Sequence, residues 1–171
     1  MKRILLTFSF AIIVMVHMVA QKERIQSAYI YQFTKLIKWC PAYVSGDFVI
    51  GVLGSSPITT ELNELKGKAV ASQTIVIKTF ASVSEIEKCH IIFIPIGVSG
   101  KLSAVNAKIK RNCTLVVTEK AGLAEQGAAI NFVESAGKIV FEINKTALQD
   151  HSLVTSNKLL TLAKTVYELK D

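Results

Sequence analysis

The sequence predicts an α/β fold: a three-layer sandwich with a mostly parallel central sheet and a C-terminal antiparallel hairpin. Segments 89–96 and 113–118 are nearly continuous apolar runs, rich in branched side chains, which is typical of strands covered by helices on both faces. Segments 128–134 and 138–144 instead alternate apolar and polar residues, which predicts two antiparallel strands with one wetter face.

The remaining elements follow from apolar periodicity and from turn residues. Apolar side chains at helical spacing over 25–40 predict a first helix that ends before Pro41. Strands and helices then alternate: strand 48–53, helix 57–66, strand 74–80, a short helix opened by Ser82 and Glu85, strand 89–96, helix 102–109 and strand 113–118. Thr155 or Ser156 is expected to cap a last helix that carries Leu159 and Val166.

The first twenty residues indicate export. Lys2 and Arg3 precede the uncharged stretch 4–16, and Ala20 stands before a polar start, which together predict a signal peptide over 1–20 and one mature domain over 21–171. An uncleaved membrane anchor is the alternative, although 4–20 is close to the lower length limit for a spanning helix. The predicted location of the mature chain is the periplasm.

Composition favours one ordinary globular domain. The chain has 171 residues, of which 50% are apolar, and a formal net charge of +7 that becomes +5 without Lys2 and Arg3. The remaining lysines are scattered and form no phosphate-tracking stripe, so no nucleic-acid partner is expected.

No set of residues predicts catalysis. Cys89 and His90 are adjacent on a predicted strand, so their side chains should point to opposite faces and cannot serve as nucleophile and base. His90 and His151 lack the converging ligands of a zinc site. We therefore expect a protein that is not an enzyme and that has no metal and no cofactor.

One turn is a candidate for ligand binding. Gly54, Ser55 and Ser56 follow a strand and precede a helix, where backbone amides can hold an anion. The turn has neither the dinucleotide-binding glycine pattern nor the lysine of a P-loop, and an ordinary strand-to-helix turn uses the same residues.

Three cysteines remain after export. Cys89 and Cys113 begin two strands predicted to be parallel neighbours, about 4.8 Å apart, which makes them the disulfide candidate. Three free buried thiols are the alternative. Cys40 would be left unpaired, either buried or joining two subunits.

Taken together, the segments resemble the YfiR family of exported regulators. The similarity begins at Ala28-Tyr-Ile-Tyr-Gln-Phe-Thr-Lys-Leu-Ile-Lys-Trp39 and continues, in order, through segments 48–54, 89–93, 115–118, 129–132, 138–144 and 156–160. Two departures are Cys40, which separates Trp39 from Pro41, and Gly127-Ala128 in place of a double glycine.

The resemblance implies a function without chemistry of its own. Family members repress a membrane-bound diguanylate cyclase by binding its periplasmic sensor region, and release raises cyclic di-GMP and promotes biofilm formation. Related chains act with two-component sensor kinases, so a periplasmic small-ligand sensing module is the alternative. The resemblance also implies a homodimer and a role for disulfides.

We expect the C-terminal hairpin to contact the partner. An antiparallel hairpin with one solvent-facing side offers alternating side chains and an edge for recognition. On this interpretation the exposed candidates are Asn131, Glu134, Lys138 and Glu142. A solvated strand face without a partner is the alternative for each of them.

Overall fold

A computed structural model describes residues 21–168, so the predicted signal peptide lies outside the described residues. Five α-helices occur in this range: α1 (21–36), α2 (Ile58–Asn63), α3 (Leu102–Lys108), α4 (Lys145–Asp150) and α5 (Asn157–Leu162). Three short 3₁₀-helices span Pro41–Tyr43, Val83–Glu85 and Ile96–Lys101, and the second of them lies where the short helix after Ser82 was predicted. The strands are β1 (Ile37–Lys38), β2 (Phe48–Leu53), β3 (Ala69–Val70), β4 (Gln73–Phe80), β5 (Ile91–Ile94), β6 (Leu115–Thr118), β7 (Ile130–Ser135), β8 (Lys138–Asn144), β9 (Val154–Thr155) and β10 (Thr165–Tyr167).

Eight strands form one sheet in the order β10-β8-β7-β6-β5-β2-β4-β3. The neighbouring pairs β4–β2, β2–β5, β5–β6 and β6–β7 are parallel. β7 and β8 form the antiparallel hairpin, and β10 lies parallel to β8. β1 and β9 make a separate antiparallel pair. The predicted α/β class, the mostly parallel sheet and the hairpin are confirmed.

Helices cover both faces of the sheet because the central strands are apolar on both. One face holds the larger apolar cluster, to which α1 contributes Ile30 and Phe33 and to which α2, α4 and α5 also contribute. The other face holds a smaller cluster, which includes Leu102 and Val105 of α3. Within residues 21–168, no helix combines the length and the apolar composition needed to cross a membrane.

The first helix ends four residues earlier than predicted. It stops at Leu36, whose carbonyl accepts the backbone N–H of Ser156 at 3.0 Å, and the next two residues pair with β9. The indole of Trp39 donates to the carbonyl of Thr34, another acceptor near the helix end. Tertiary partners therefore satisfy the end of α1 before Pro41 is reached.

The last helix is also shorter than predicted. Ser156 caps it as expected, since its Oγ accepts the N–H of Leu159 at 3.3 Å. The helix ends at Leu162, and Val166 belongs instead to edge strand β10, which pairs with β8. The N–H of Lys164 donates to the carbonyl of Phe141 at 2.8 Å, so pairing with the sheet replaces further helical bonds.

The predicted disulfide between Cys89 and Cys113 is wrong. Cys113 is bonded to Cys40, with Cα atoms 6.1 Å apart, and Cys89 is a buried free thiol. Both predicted partners precede their strands, which begin at Ile91 and Leu115, and they pack in apolar clusters on opposite faces of the sheet. β1 pairs with β9, and Cys113 Sγ lies 3.8 Å from the carbonyl of Ser152, just before β9, so Cys40, just after β1, lies close to Cys113.

Candidate functional site

The hairpin of β7 and β8 extends the sheet beyond the last parallel pair, β6 with β7. Ala136 and Gly137 form its two-residue turn, and both have a positive φ, as a type I′ turn requires. Register pairs Phe132 with Phe141 and Ser135 with Lys138. The two faces of this ladder have different surroundings.

One face of the hairpin packs on α1 through aromatic rings. The ring centroids of Phe33 and Phe132 lie 6.0 Å apart, and those of Phe33 and Phe141 lie 5.2 Å apart with an edge-to-face geometry. Tyr29 contacts both hairpin rings as well. These contacts fix the hairpin against the helix that begins the described chain.

The other face carries a buried polar row that crosses four strands. Thr118 donates to Asn131 Oδ1 at 2.7 Å, Asn131 Nδ2 donates to Glu142 Oε2 at 3.1 Å, and Tyr167 donates to Glu142 Oε1 at 3.4 Å. Asn131 is fully buried and Glu142 is 8% exposed. The prediction that these two residues are exposed is wrong, because β6 and β10 flank them and supply their polar partners.

The other two hairpin candidates are exposed, as predicted. Glu134 and Lys138 lie next to the turn, on opposite strands of the hairpin. Both side chains face solvent, whereas Asn131 and Glu142 are buried. Their role in binding stays a prediction.

A small cavity of about 160 Å³ lies beside this exposed end of the hairpin. It is lined by Lys22, Gln26, Glu119, Phe132, Val133, Glu134 and Ile139. The lining combines an apolar wall from the hairpin with a polar wall from α1 and the loop after β6. We call Glu134, Lys138 and this cavity the hairpin surface.

Glu119 organises the polar wall of the cavity. Its Oε2 lies 2.6 Å from Lys22 Nζ and accepts a bond from Gln26 Nε2 at 3.1 Å, while its Oε1 accepts the N–H of Ile96 at 3.1 Å. The Glu119 side chain is only 6% exposed. Nearby, burial raises the pKa of Glu23.

The sequence interpretation missed Glu119. A signal was present, since this acidic residue directly follows the buried strand β6, and polar residues at the carboxyl ends of parallel strands often line ligand or partner sites.

The turn at Gly54, Ser55 and Ser56 lies between β2 and α2, as predicted. Gly54 has a φ of +72°, and its N–H donates to the carbonyl of Phe80 at 2.8 Å. Helix α2 has six residues and lacks a side-chain cap. A ligand role for this turn stays a prediction.

Cys89 and His90 have structural surroundings. Burial raises the pKa of the Cys89 thiol to about 12, which keeps it protonated and unreactive at neutral pH. His90 accepts the N–H of Val49 at Nδ1 and contacts the carbonyl of Tyr43 through Nε2 at 2.6 Å. Its ring stacks on Phe48, and burial lowers its pKa.

Comparisons with known proteins identify one family. The model of the YfiR/HmsC-like family matches residues 23–164. The search of curated proteins found no match.

Two solved structures show a limited likeness. One is the ABC domain in complex with L-Trp from Streptococcus pneumoniae, at 15% identity and a TM-score of 0.47. The other is a conserved domain protein from Vibrio cholerae O1 biovar eltor, at 15% identity and a TM-score of 0.46. Each match covers 70% of this chain and 55% of the length of the solved chain.

Proposed function

The chain belongs to the YfiR/HmsC-like family, and from this premise we propose that it represses a membrane-bound diguanylate cyclase by binding the cyclase's periplasmic sensor region. The family supports a periplasmic regulatory role and consists of regulators rather than catalysts. The cyclase as target, export by residues 1–20 and the absence of catalysis are parts of the proposal.

Repression of this kind requires a preference for one state of the partner. A regulator that binds both states equally shifts nothing, whereas moving a cyclase from 99% active to 99% inactive takes about 10⁴-fold tighter binding to the inactive state. A rigid surface suits this task because it fits one arrangement of the partner.

The observation that carries the proposal is the composition of the hairpin surface. Glu134 and Lys138 expose opposite charges beside the turn, and the adjacent cavity offers Phe132 and Ile139 as apolar wall. Aromatic packing on α1 and the buried polar row hold this surface in place. Such a surface supports recognition by charge and by shape together.

The test is a charge reversal at the hairpin with a matched control elsewhere. Glu134→Lys should weaken binding to the purified sensor region by about tenfold or more and raise cellular cyclic di-GMP in a cyclase reporter. Glu64→Lys makes the same charge change at an exposed position after α2 and should leave both readouts unchanged. Full repression by Glu134→Lys and by Lys138→Glu would contradict the proposed surface.

A crosslinked pull-down from the periplasmic face of the membrane tests the partner's class. Recovery of a diguanylate cyclase supports the proposal. Recovery of a two-component sensor kinase, without a cyclase, would replace it with the sensing function that the family resemblance also implies.

A further inference from the structure

A second, larger cavity lies at the base of the hairpin, at the opposite end from the turn. Its volume is about 550 Å³, within the range of small-molecule sites. Its lining comes from the end of α3, the loop before β7 and the segment around α4, and includes Asn106, Lys110, Glu125, Asp150 and His151. The proposed repressor surface uses none of these residues.

Two side chains in this lining have buried acceptor atoms without a partner. His151 is 3% exposed, and its Nδ1 makes no hydrogen bond within the described part of the chain. Asn106 donates from Nδ2 to the carbonyl of Gly127 at 3.0 Å, but its Oδ1 is likewise unpartnered there. Unsatisfied buried polar atoms are uncommon and costly, so two in one cavity lining indicate a missing donor.

The protonation state of His151 defines what it can bind. Burial lowers the pKa of its imidazole, which is therefore neutral at pH 7, and a hydrogen bond to the backbone of Ile109 occupies the ring's one N–H. Nδ1 is thus left with a lone pair and can only accept. Asn106 Oδ1 is also an acceptor, so the cavity requires N–H or O–H donors from its ligand.

The charges around the cavity select among such ligands. Exposed carboxylates of Glu125 and Asp150 stand against a single ammonium, that of Lys110. Asn144, also in the lining, bonds Ala124 through Nδ2 and Ala147 through Oδ1, so its side chain is already occupied. The excess of acceptors and negative charge favours a cationic donor over an anion or a neutral polyol.

We propose that this cavity binds a small organic molecule with a primary ammonium group, whose N–H groups donate to His151 Nδ1 and Asn106 Oδ1. The carboxylates of Glu125 and Asp150 balance the ligand's charge. This binding site is independent of the identity of the protein partner.

The ligand class is tested on the purified exported chain by titration calorimetry. The probes are putrescine and benzylamine, with 1,4-butanediol and succinate as uncharged and anionic compounds of putrescine's chain length. We expect the amines to bind saturably and the diol and the dianion to bind at least about tenfold more weakly. Binding of neither amine, or equal or tighter binding of the diol or succinate, would overturn the proposal.

Variants test the residues. His151→Phe removes the acceptor while keeping a ring, and Asn106→Leu removes the other acceptor; each should weaken amine binding about tenfold. Asn63→Leu, at an exposed position of α2, is the matched control and should bind like the unsubstituted chain.

A spectroscopic readout covers the case in which His151→Phe does not fold. In the unsubstituted protein, the ¹⁵N resonance of His151 Nδ1 should move on amine addition, because the atom gains a hydrogen bond. An unmoved resonance, or full affinity in Asn106→Leu, would overturn the assignment. The measurements need no cyclase, so their failure would leave the repressor proposal standing.

Discussion

Removal of the Cys40–Cys113 disulfide should have a large and calculable effect on stability. The two cysteines are 73 residues apart in sequence. In the chain-entropy model, opening a loop of this length costs the folded state about 4 kcal/mol, because the unfolded chain gains freedom. We therefore expect Cys40→Ala to lower the free energy of unfolding of the oxidised protein by about that amount.

Urea denaturation with and without a reductant measures this effect. With a denaturant slope of about 2 kcal/mol per molar, the midpoint of Cys40→Ala should fall by about 2 M relative to the oxidised parent. Reduction should lower the parent's midpoint to that of the variant. The midpoint of Cys40→Ala itself should not respond to the reductant.

Cys89→Ala separates the observed pairing from the alternative pairing. Cys89 is a buried free thiol, so its loss should cost about 1 kcal/mol of packing and leave the response to reductant intact. The double variant Cys40→Ala with Cys113→Ala removes the same single cross-link, so the cross-link's contribution to the free energy of unfolding should be lost once, as in Cys40→Ala alone. Loss of the reductant response in Cys89→Ala, with the response kept in Cys40→Ala, would refute the reasoning.

Two further predictions concern the core. In Gly51→Ala the added Cβ would lie 2.6 Å from the ring of Phe80, so we expect a loss of about 1–3 kcal/mol in the free energy of unfolding, measured by urea denaturation. Burial lowers the pKa of His90, so the folded state favours the neutral imidazole. The stability that this preference contributes is present above about pH 6.5 and is lost as pH falls through the folded-state pKa of His90. Thermal unfolding between pH 7 and 5 should show this decline, and His90→Gln should make it shallower; an unchanged slope would contradict it.

Most of the sheet could be predicted from local patterns, because a continuous apolar segment identifies each central strand without knowledge of its partners. Strand 48–53 has the predicted bounds, and the apolar segments around 91–94 and 115–118 are the central strands. A strand that is covered on both faces is apolar at successive positions, so its burial can be predicted without knowing which face each side chain points to. The hairpin was predictable for the related reason that alternation and a Gly137 turn reinforce each other.

Segments whose form depends on distant partners were not predictable in this way. The end of α1 and strand β10 both follow from pairing across the fold, with β9 and with β8. Apolar residues in 159–166 have helical spacing, which is a local preference. Residues 165–167 instead pair with β8 at the edge of the sheet, and tertiary pairing of this kind overrides the local preference.

Cysteine pairing failed for a geometric reason. The expectation that Cys89 and Cys113 meet assumed that both belong to neighbouring parallel strands at one level. Each cysteine instead precedes the regular strand, and the side chains pack on opposite faces of the sheet. Spacing along a strand defines a level, but the side of the sheet is fixed only inside the regular ladder.

Two of the four hairpin candidates were wrongly predicted to be exposed. The prediction assumed that the polar residues of an alternating strand face solvent. Asn131 is buried by neighbouring elements and hydrogen-bonded to Thr118 and Glu142, whereas Glu134 lies beyond the reach of that network. Asn131→Leu should therefore leave the Glu142 carboxylate short of a donor, lower the free energy of unfolding by about 1–3 kcal/mol and affect repression only through the amount of folded protein. Glu134→Lys should weaken partner binding at unchanged stability. Urea denaturation and binding to the sensor region, measured on both variants, separate the two effects, and a binding defect in stably folded Asn131→Leu would make the buried row part of the contact.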